Sequence, residues 1–215
     1  MQPARPIVVV FPRHVGCPFA ERDIRQLVHL VLANPARFVL PSSPADGGAE
    51  PAPARKLQFL VAPHTDVANA REWFAAVLHA AYESFDPAAT AASTTGDAPD
   101  GSSAGAPAAA KPDAGLIQEH FALFPDGSDR ALAKAFGVGT LSSFGSLFSG
   151  DMFGSLSTLK AESSIMNRKT GGGSDRWATH GAFAVDEAGI VRWGWVAKTA
   201  HEEGDFEACV ASLGV

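Results

Sequence analysis

Two predominantly apolar runs indicate buried strands of a sheet. The first is Ile7–Phe11, and the second spans residues 57–61. Both lack the polar alternation of a half-exposed strand, which is typical of strands covered on both faces. A third strand is predicted around residues 120–124. A sheet with helices packed against it is therefore the first expectation.

Helical periodicity follows the first two strands. The first predicted helix begins near Pro18 and ends at Asn34, before a proline. Its apolar positions are Ala20, Ile24, Leu27, Val28 and Val31. The second begins at Thr65 or Asp66, either of which can cap it. Its apolar positions are Ala70, Trp73, Phe74, Val77, Leu78, Ala81 and Tyr82.

The last third of the chain predicts a short helix, a β-hairpin and a final helix. The short helix covers residues 129–136 and is closed by Gly137. Residues 182–186 and 190–196 form the hairpin, and Asp205 caps the last helix. The order βα, βα, βα, ββα predicts an α/β protein with a central mixed β-sheet flanked by helices. We expect a single domain over residues 1–215.

Three segments interrupt this pattern. Residues 41–56 are rich in Pro, Ala and Gly and predict a loop. Residues 86–113 contain no large apolar side chain, so burial cannot offset their ordering entropy, and we expect a disordered insertion. Residues 139–175 are rich in Gly and Ser but also in Phe and Leu, which indicates a flexible lid or short helices packed on the core.

Composition and charge narrow the range of binding partners and cellular compartments. Of the 215 residues 46% are apolar, enough for a sizeable core, and the net charge of -6 argues against nucleic acid or an anionic membrane. No apolar run reaches the roughly 18 residues of a membrane span. Two cysteines, Cys17 and Cys209, make no disulfide framework, which favours a reducing compartment. We therefore expect a cytoplasmic protein.

Cys17 is the most informative residue, because it stands where the first strand gives way to the first helix. Helix N-terminal amides can stabilise a thiolate there. Arg13 and His14 are candidate cations beside it, either for the thiolate or for an anionic substrate. The alternative is a small buried residue at a helix start. Cys209 falls on the apolar face of the last helix, which favours core packing over a resolving role.

Three stretches carry a resemblance to a known family. Residues 8–19 combine an apolar strand with Arg and then Gly-Cys; the others are residues 123–137 and residues 181–193. On these, the chain resembles the peroxiredoxin-like proteins (alkyl hydroperoxide reductase/thiol-specific antioxidant type) of the thioredoxin-like superfamily. The resemblance implies a thioredoxin-like fold and a hydroperoxide-reducing thiol.

The sequence departs from that family in several places. Ala20 stands where many relatives have a second thiol. Val10 and His14 occupy the places of the Pro and the Thr or Ser that precede the cysteine in typical peroxiredoxins. The stretch 177–181 has no proline, although thioredoxins set one beside the active cysteine.

The resemblance implies that the Cys17 thiolate reduces a hydroperoxide and that an external thiol, glutathione or a thioredoxin, restores it. His14 is the candidate acid or base, and Arg176 is the arginine expected beside the sulfur. These three are the catalytic candidates. The candidate substrate-binding residues are Arg13, Thr179, His180, Phe144 and Phe148.

Two further functions stay open. One is a redox-inactive thioredoxin-fold enzyme, an isomerase, lyase or conjugating enzyme, that uses His14, Arg176 and His180 around an apolar pocket. The other is a non-catalytic binding module. No cofactor or metal is expected, because the seven histidines are scattered and no Cys-x-x-Cys or His-x-x-x-His spacing occurs. The expected partner is a small-molecule substrate, and a homodimer is left open.

Overall fold

The protein is a mixed α/β structure with a central mixed sheet flanked by helices. The computed structural model describes residues 5–40, 55–89, 110–141, 150–169 and 174–215. The strands are β1 (Ile7–Phe11), β2 (Val39–Leu40), β3 (Arg55–Lys56), β4 (Gln58–Val61), β5 (Phe121–Leu123), β6 (Gly181–Val185) and β7 (Val191–Val196). The helices are α1 (Pro18–Ala33), α2 (Val67–Ser84), α3 (Gly115–His120), α4 (Ala131–Ala135), α5 (Gly150–Ser163) and α6 (Phe206–Ala211).

Strand β1 lies at the centre of the five-stranded sheet, whose order is β5-β4-β1-β6-β7. It is parallel to β4 and antiparallel to β6, so Val9 lies between Leu60 and Phe183. Val8 and Val10 belong to the larger core cluster, whereas Val9 and Phe11 belong to the cluster on the other face. The prediction that this strand is covered on both faces is therefore confirmed.

Helix α1 positions Cys17 because its apolar face is anchored in the core. Ile24, Leu27, Val28 and Val31 are fully buried, each at about 1.5–3 kcal/mol relative to an exposed position. Asp66 caps α2 through its carboxylate, which accepts a hydrogen bond from the backbone N–H of Asn69, as the sequence predicts. No helix in the described ranges has both the length and the apolar character to cross a membrane.

Most predicted elements are found within a few residues of their expected limits, but two differences have physical reasons. The predicted loop 41–56 ends in β3, which pairs with β2 as a two-stranded sheet, and residues 41–54 lie outside the described residues. Helix α3 was not predicted, because six residues hold less than two turns of periodicity. Its start is fixed by Asp113, whose side chain accepts from the backbone N–H of Gly115 at 2.8 Å.

The two predicted inserts are described only in part. Residues 90–109 of the expected disordered insertion lie outside the described residues. So do residues 142–149 of the expected lid, and with them the substrate-binding candidates Phe144 and Phe148. The described part of the lid segment contains α5, whose Met152 and Leu159 are buried in the core. A helix packed on the core is thus found in this segment.

Candidate functional site

The turn between β1 and α1 places the Cys17 sulfur at a helix N-terminus. Cys17 is the N-cap residue of α1, and Pro18 occupies the first turn, where its missing N–H removes no helical bond. The backbone N–H of Cys17 donates to His14 O at 3.2 Å, and Cys17 O accepts from the N–H of Glu21. The first amides of the helix have no intrahelical acceptor, and their dipole favours negative charge at this point.

Arg13 supplies the cation beside this sulfur. Its Nη1 lies 3.8 Å from Cys17 Sγ, and its Nη2 donates to the backbone O of Arg176 at 2.5 Å. The Arg13 side chain is buried, and among the described residues no carboxylate lies within ion-pairing distance of it. A buried guanidinium without a carboxylate is costly, so an anion is favoured at this position.

His14 adjoins the same sulfur-bearing turn but is not a cation. Its Nδ1 lies 2.9 Å from Val15 O, a group that only accepts, so Nδ1 carries the proton and Nε2 the lone pair. The pKa of His14 is lowered to about 4, chiefly by burial; the Arg13 and Arg176 charges also lower it, while the hydrogen bond to Val15 and the Asp175 charge oppose the shift. The imidazole is therefore neutral at pH 7. The prediction that His14 supplies positive charge is wrong, and its role as a base stays a prediction.

A pocket of about 330 Å³ opens over Cys17. It brings together four sequence candidates, namely Arg13, His14, Cys17 and Arg176. The remaining wall comes from α1, from α5 and from the segment after α5. Those residues are Pro18, Phe19, Met152, Leu156, Asn167 and Arg168. The volume lies at the lower end of the ~300–1,000 Å³ usual for small-molecule sites.

A buried carboxylate in the first turn of α1 ties the segment after α5 to this turn. Glu21 accepts from Arg168 Nε at 2.6 Å and Nη2 at 2.9 Å, and from Arg25 Nη2 at 2.5 Å. Burial opposes ionisation of Glu21, but the hydrogen bonds from Arg168 and Arg25 outweigh it and lower the pKa. The backbone N–H of Arg168 donates to Gly16 O at 3.1 Å. Glu21 thereby holds one wall of the pocket against the Cys17 turn.

Gly16 permits this close approach, and replacing it tests the packing. Its φ is +85°, and a Cβ there would lie 2.5 Å from Arg168 O. We expect Gly16→Ala to lower the free energy of unfolding by about 2 kcal/mol more than Gly137→Ala, as measured by urea denaturation. Gly137 is the matched control, since its φ is +76° but a Cβ there would meet nothing within 4 Å. Equal losses in both variants would contradict the packing of Arg168 on the turn.

Two candidates lie outside the pocket lining. Thr179 is buried, and its hydroxyl donates to Ala197 O at 2.5 Å. His180 is buried, its Nε2 donates to Glu202 O at 3.0 Å, and Asp23 Oδ2 lies 3.8 Å from the same nitrogen. Burial lowers the pKa of His180, although Asp23 opposes this. These contacts join the segment before β6 to the segment after β7, and neither residue lines the wall over Cys17.

Cys209 lies in the core, as the sequence predicts. It is fully buried in α6, and burial raises the pKa of its thiol to about 12. A neutral thiol with no exposure behaves as a small apolar side chain. In the part of the chain that the structure describes, no group of three or more His, Cys, Asp or Glu side chains could hold a metal ion.

Sequence reasoning missed the part of the site that comes from distant segments. Arg168, Met152 and Leu156 line the pocket, yet they follow Cys17 by more than a hundred residues. The excess of large apolar residues in 139–175 was a signal for packing, but not for this location. Arg168 belongs to no periodic pattern, so its sequence context does not indicate that it lies beside Cys17.

Comparisons of this chain with protein-family models, with curated proteins and with solved structures found no match. The class that the fold and site define is therefore a mixed α/β protein with a cysteine at the junction of its central strand and first helix.

Proposed function

We propose that this protein is a peroxiredoxin-like thiol oxidoreductase that reduces a hydroperoxide through Cys17. The observation that carries the proposal is the contact of Arg13 Nη1 with Cys17 Sγ at the N-terminus of α1. The thiolate is the nucleophilic form of a cysteine, and a cation and helix N-terminal amides beside one sulfur are the surroundings in which reactive cysteines are found. The central mixed sheet, with β1 leading into the cysteine, and the terminal hairpin and helix support the thioredoxin-like fold that we propose with it.

The first chemical step transfers one oxygen atom to sulfur. The thiolate of Cys17 attacks the terminal oxygen of ROOH, an S–O bond forms and the O–O bond breaks with its electron pair leaving on RO⁻. The leaving oxygen takes a proton and departs as ROH, while sulfur is oxidised to sulfenic acid. Arg13 can donate to the oxygen on which negative charge develops, which is the role of a preorganised donor.

An external thiol completes the proposed cycle. One thiol condenses with the sulfenic acid to a mixed disulfide and releases water, and a second thiol breaks this disulfide and restores Cys17. The chain offers no nearby partner for this, because Ala20 stands one turn along α1 and Cys209 is buried in α6. Glutathione or a thioredoxin fits the requirement.

The test is hydroperoxide consumption with glutathione or thioredoxin as reductant, combined with trapping of the sulfenic acid by dimedone. We expect consumption that depends on the protein, and a dimedone adduct that peptide mass spectrometry locates at Cys17. An adduct at Cys209 alone, or no protein-dependent consumption with either reductant and any hydroperoxide, would overturn the proposal.

A second candidate function is supported by the neutral imidazole of His14. With Nδ1 bound to Val15 O, Nε2 is an unprotonated base at pH 7 in a pocket that also holds Arg176. That arrangement suits proton abstraction from an organic anion in an isomerase, lyase or conjugating enzyme. An activity that persists in Cys17→Ser but is lost in His14→Gln would favour this candidate over the first.

A further inference from the structure

Three arginines, and no carboxylate of the described residues, line the pocket over Cys17. They are Arg13, Arg168 and Arg176. Behind the lining, Glu21 is shared between Arg168 and Arg25, so one carboxylate faces two guanidinium groups. Asp175 lies next to Arg176, where its side chain accepts from the backbone N–H of Trp177. Among the described residues, Arg168 thus has a carboxylate partner in Glu21, whereas Arg13 has none within ion-pairing distance.

Arg13 adds an independent observation at the inner end of this pocket. The residue is 6% exposed, and its Nε is buried without a hydrogen-bond partner. Its hydrogen-bond partners among the described residues are Cys17 Sγ and the backbone O of Arg176. The Arg176 side chain also lines the pocket and is exposed. Buried positive charge in excess selects for an anion.

Apart from the arginines, His14, Cys17 and Asn167, the described wall of the pocket is apolar. Pro18 and Phe19 belong to the first turn of α1, and Met152 and Leu156 lie one turn apart on α5. Hydrogen peroxide has no apolar surface to bury against such a wall. A ligand with a compact hydrocarbon body and one negative charge would satisfy both halves of the lining.

We propose that the substrate of this site is a small organic hydroperoxide that carries a carboxylate, with its apolar body against Phe19, Met152 and Leu156. Its turnover rests on the proposed function, whereas its binding does not. The carboxylate pairs with the arginines of the lining, and the peroxide group reaches Cys17. Sulfur then gains the oxygen and the carboxylated alcohol leaves, as in the step written above.

The test compares substrates of one shape and different charge. The probes are cumene hydroperoxide, its para-carboxylate derivative, the methyl ester of that derivative and hydrogen peroxide. We expect kcat/KM for the carboxylate to exceed that for the ester and for cumene hydroperoxide by about tenfold, the effect of one hydrogen-bonded ion pair. Raising the salt concentration should narrow this difference.

Two variants test whether the preference for the carboxylated hydroperoxide over its ester arises in the pocket. Arg176→Gln should lower the ratio of kcat/KM for the carboxylate to kcat/KM for the ester by about tenfold, whatever it does to both rates together. Arg71→Gln is the matched control, because it removes the same charge from an exposed position on α2 that does not line this pocket. Equal effects on carboxylate and ester in both variants would overturn the proposal.

Binding of the redox-inert alcohols separates failure of this inference from failure of the proposed function. In calorimetry on the wild type and on Cys17→Ser, we expect the carboxylated alcohol to bind at least about tenfold more tightly than its methyl ester. Equal or absent binding of the two alcohols overturns the substrate class, even if hydroperoxides are reduced. Selective binding without reduction of any hydroperoxide supports the anionic ligand and overturns the peroxidase.

Discussion

Replacing Cys17 by serine is expected to lower hydroperoxide consumption by about 1,000-fold or more, to the rate of the buffer with reductant alone. The serine hydroxyl keeps the place at the start of α1 but offers neither a thiolate nor an accessible sulfenic state. Cys17 is in contact with Arg13 and lines the pocket, so the loss acts on the chemical step. The measurement is the initial rate of hydroperoxide loss with glutathione in excess.

Cys209→Ser is the matched control for this loss. That thiol lies in the core of α6 and does not line the pocket over Cys17. We expect Cys209→Ser to consume hydroperoxide at the wild-type rate per folded molecule. The variant should be less stable, because the serine hydroxyl is buried in an apolar site. Residual consumption near the wild-type rate in Cys17→Ser, or its loss in folded Cys209→Ser, would refute the assignment of the nucleophile.

Replacing Glu21 by glutamine is expected to lower the free energy of unfolding by about 3–5 kcal/mol, the usual consequence of breaking a buried ion pair from one side. The Glu21 side chain is 2% exposed, and the Arg25 side chain that it holds is 9% exposed. The glutamine amide keeps the volume but turns an N–H group toward a guanidinium. Urea denaturation gives the difference through the midpoint and the slope.

An exposed ion pair supplies the comparison for Glu21. Glu207 pairs with Arg37 at 2.7 Å, but its side chain is 59% exposed. We expect Glu207→Gln to change the free energy of unfolding by less than about 1 kcal/mol. If both variants change the free energy of unfolding by a similarly small amount, Glu21 does not hold the segment that contains Arg168 against Gly16. If Glu21→Gln loosens that segment, hydroperoxide reduction should fall as well, since Arg168 forms part of the pocket.

The elements that position the site could be predicted because their signals are local. The apolar run of β1, the 3.6-residue periodicity of α1 and the capping Asp66 each act within a few residues along the chain. Helix α3 escaped prediction because it is six residues long and depends on Asp113 at its start. Local patterns cannot report elements that exist mainly through packing.

For the site, too, local features could be predicted from the sequence and features that depend on packing could not. Arg13, His14 and Cys17 share one turn, so the sequence alone brings them together. The protonation of His14 could not be predicted, since it follows from burial by other segments. Thr179 and His180 are adjacent in sequence to the region of Arg176, but their hydrogen bonds to Ala197 and Glu202 direct them into the interior. Only the fold decides which neighbours of Arg176 line the pocket.

The central claim is that folding activates Cys17, and the most direct measurement compares its reactivity in the folded and the urea-unfolded chain. Each cysteine is oxidised by a limiting hydroperoxide, and the rate at each is followed by dimedone trapping and peptide mass spectrometry. Cys209 is the internal control, because it is as buried as Cys17 but does not line the pocket and has no arginine in contact with its sulfur among the described residues. We predict that folding accelerates oxidation of Cys17 and slows that of Cys209. Slower oxidation of both cysteines in the folded protein would contradict the account.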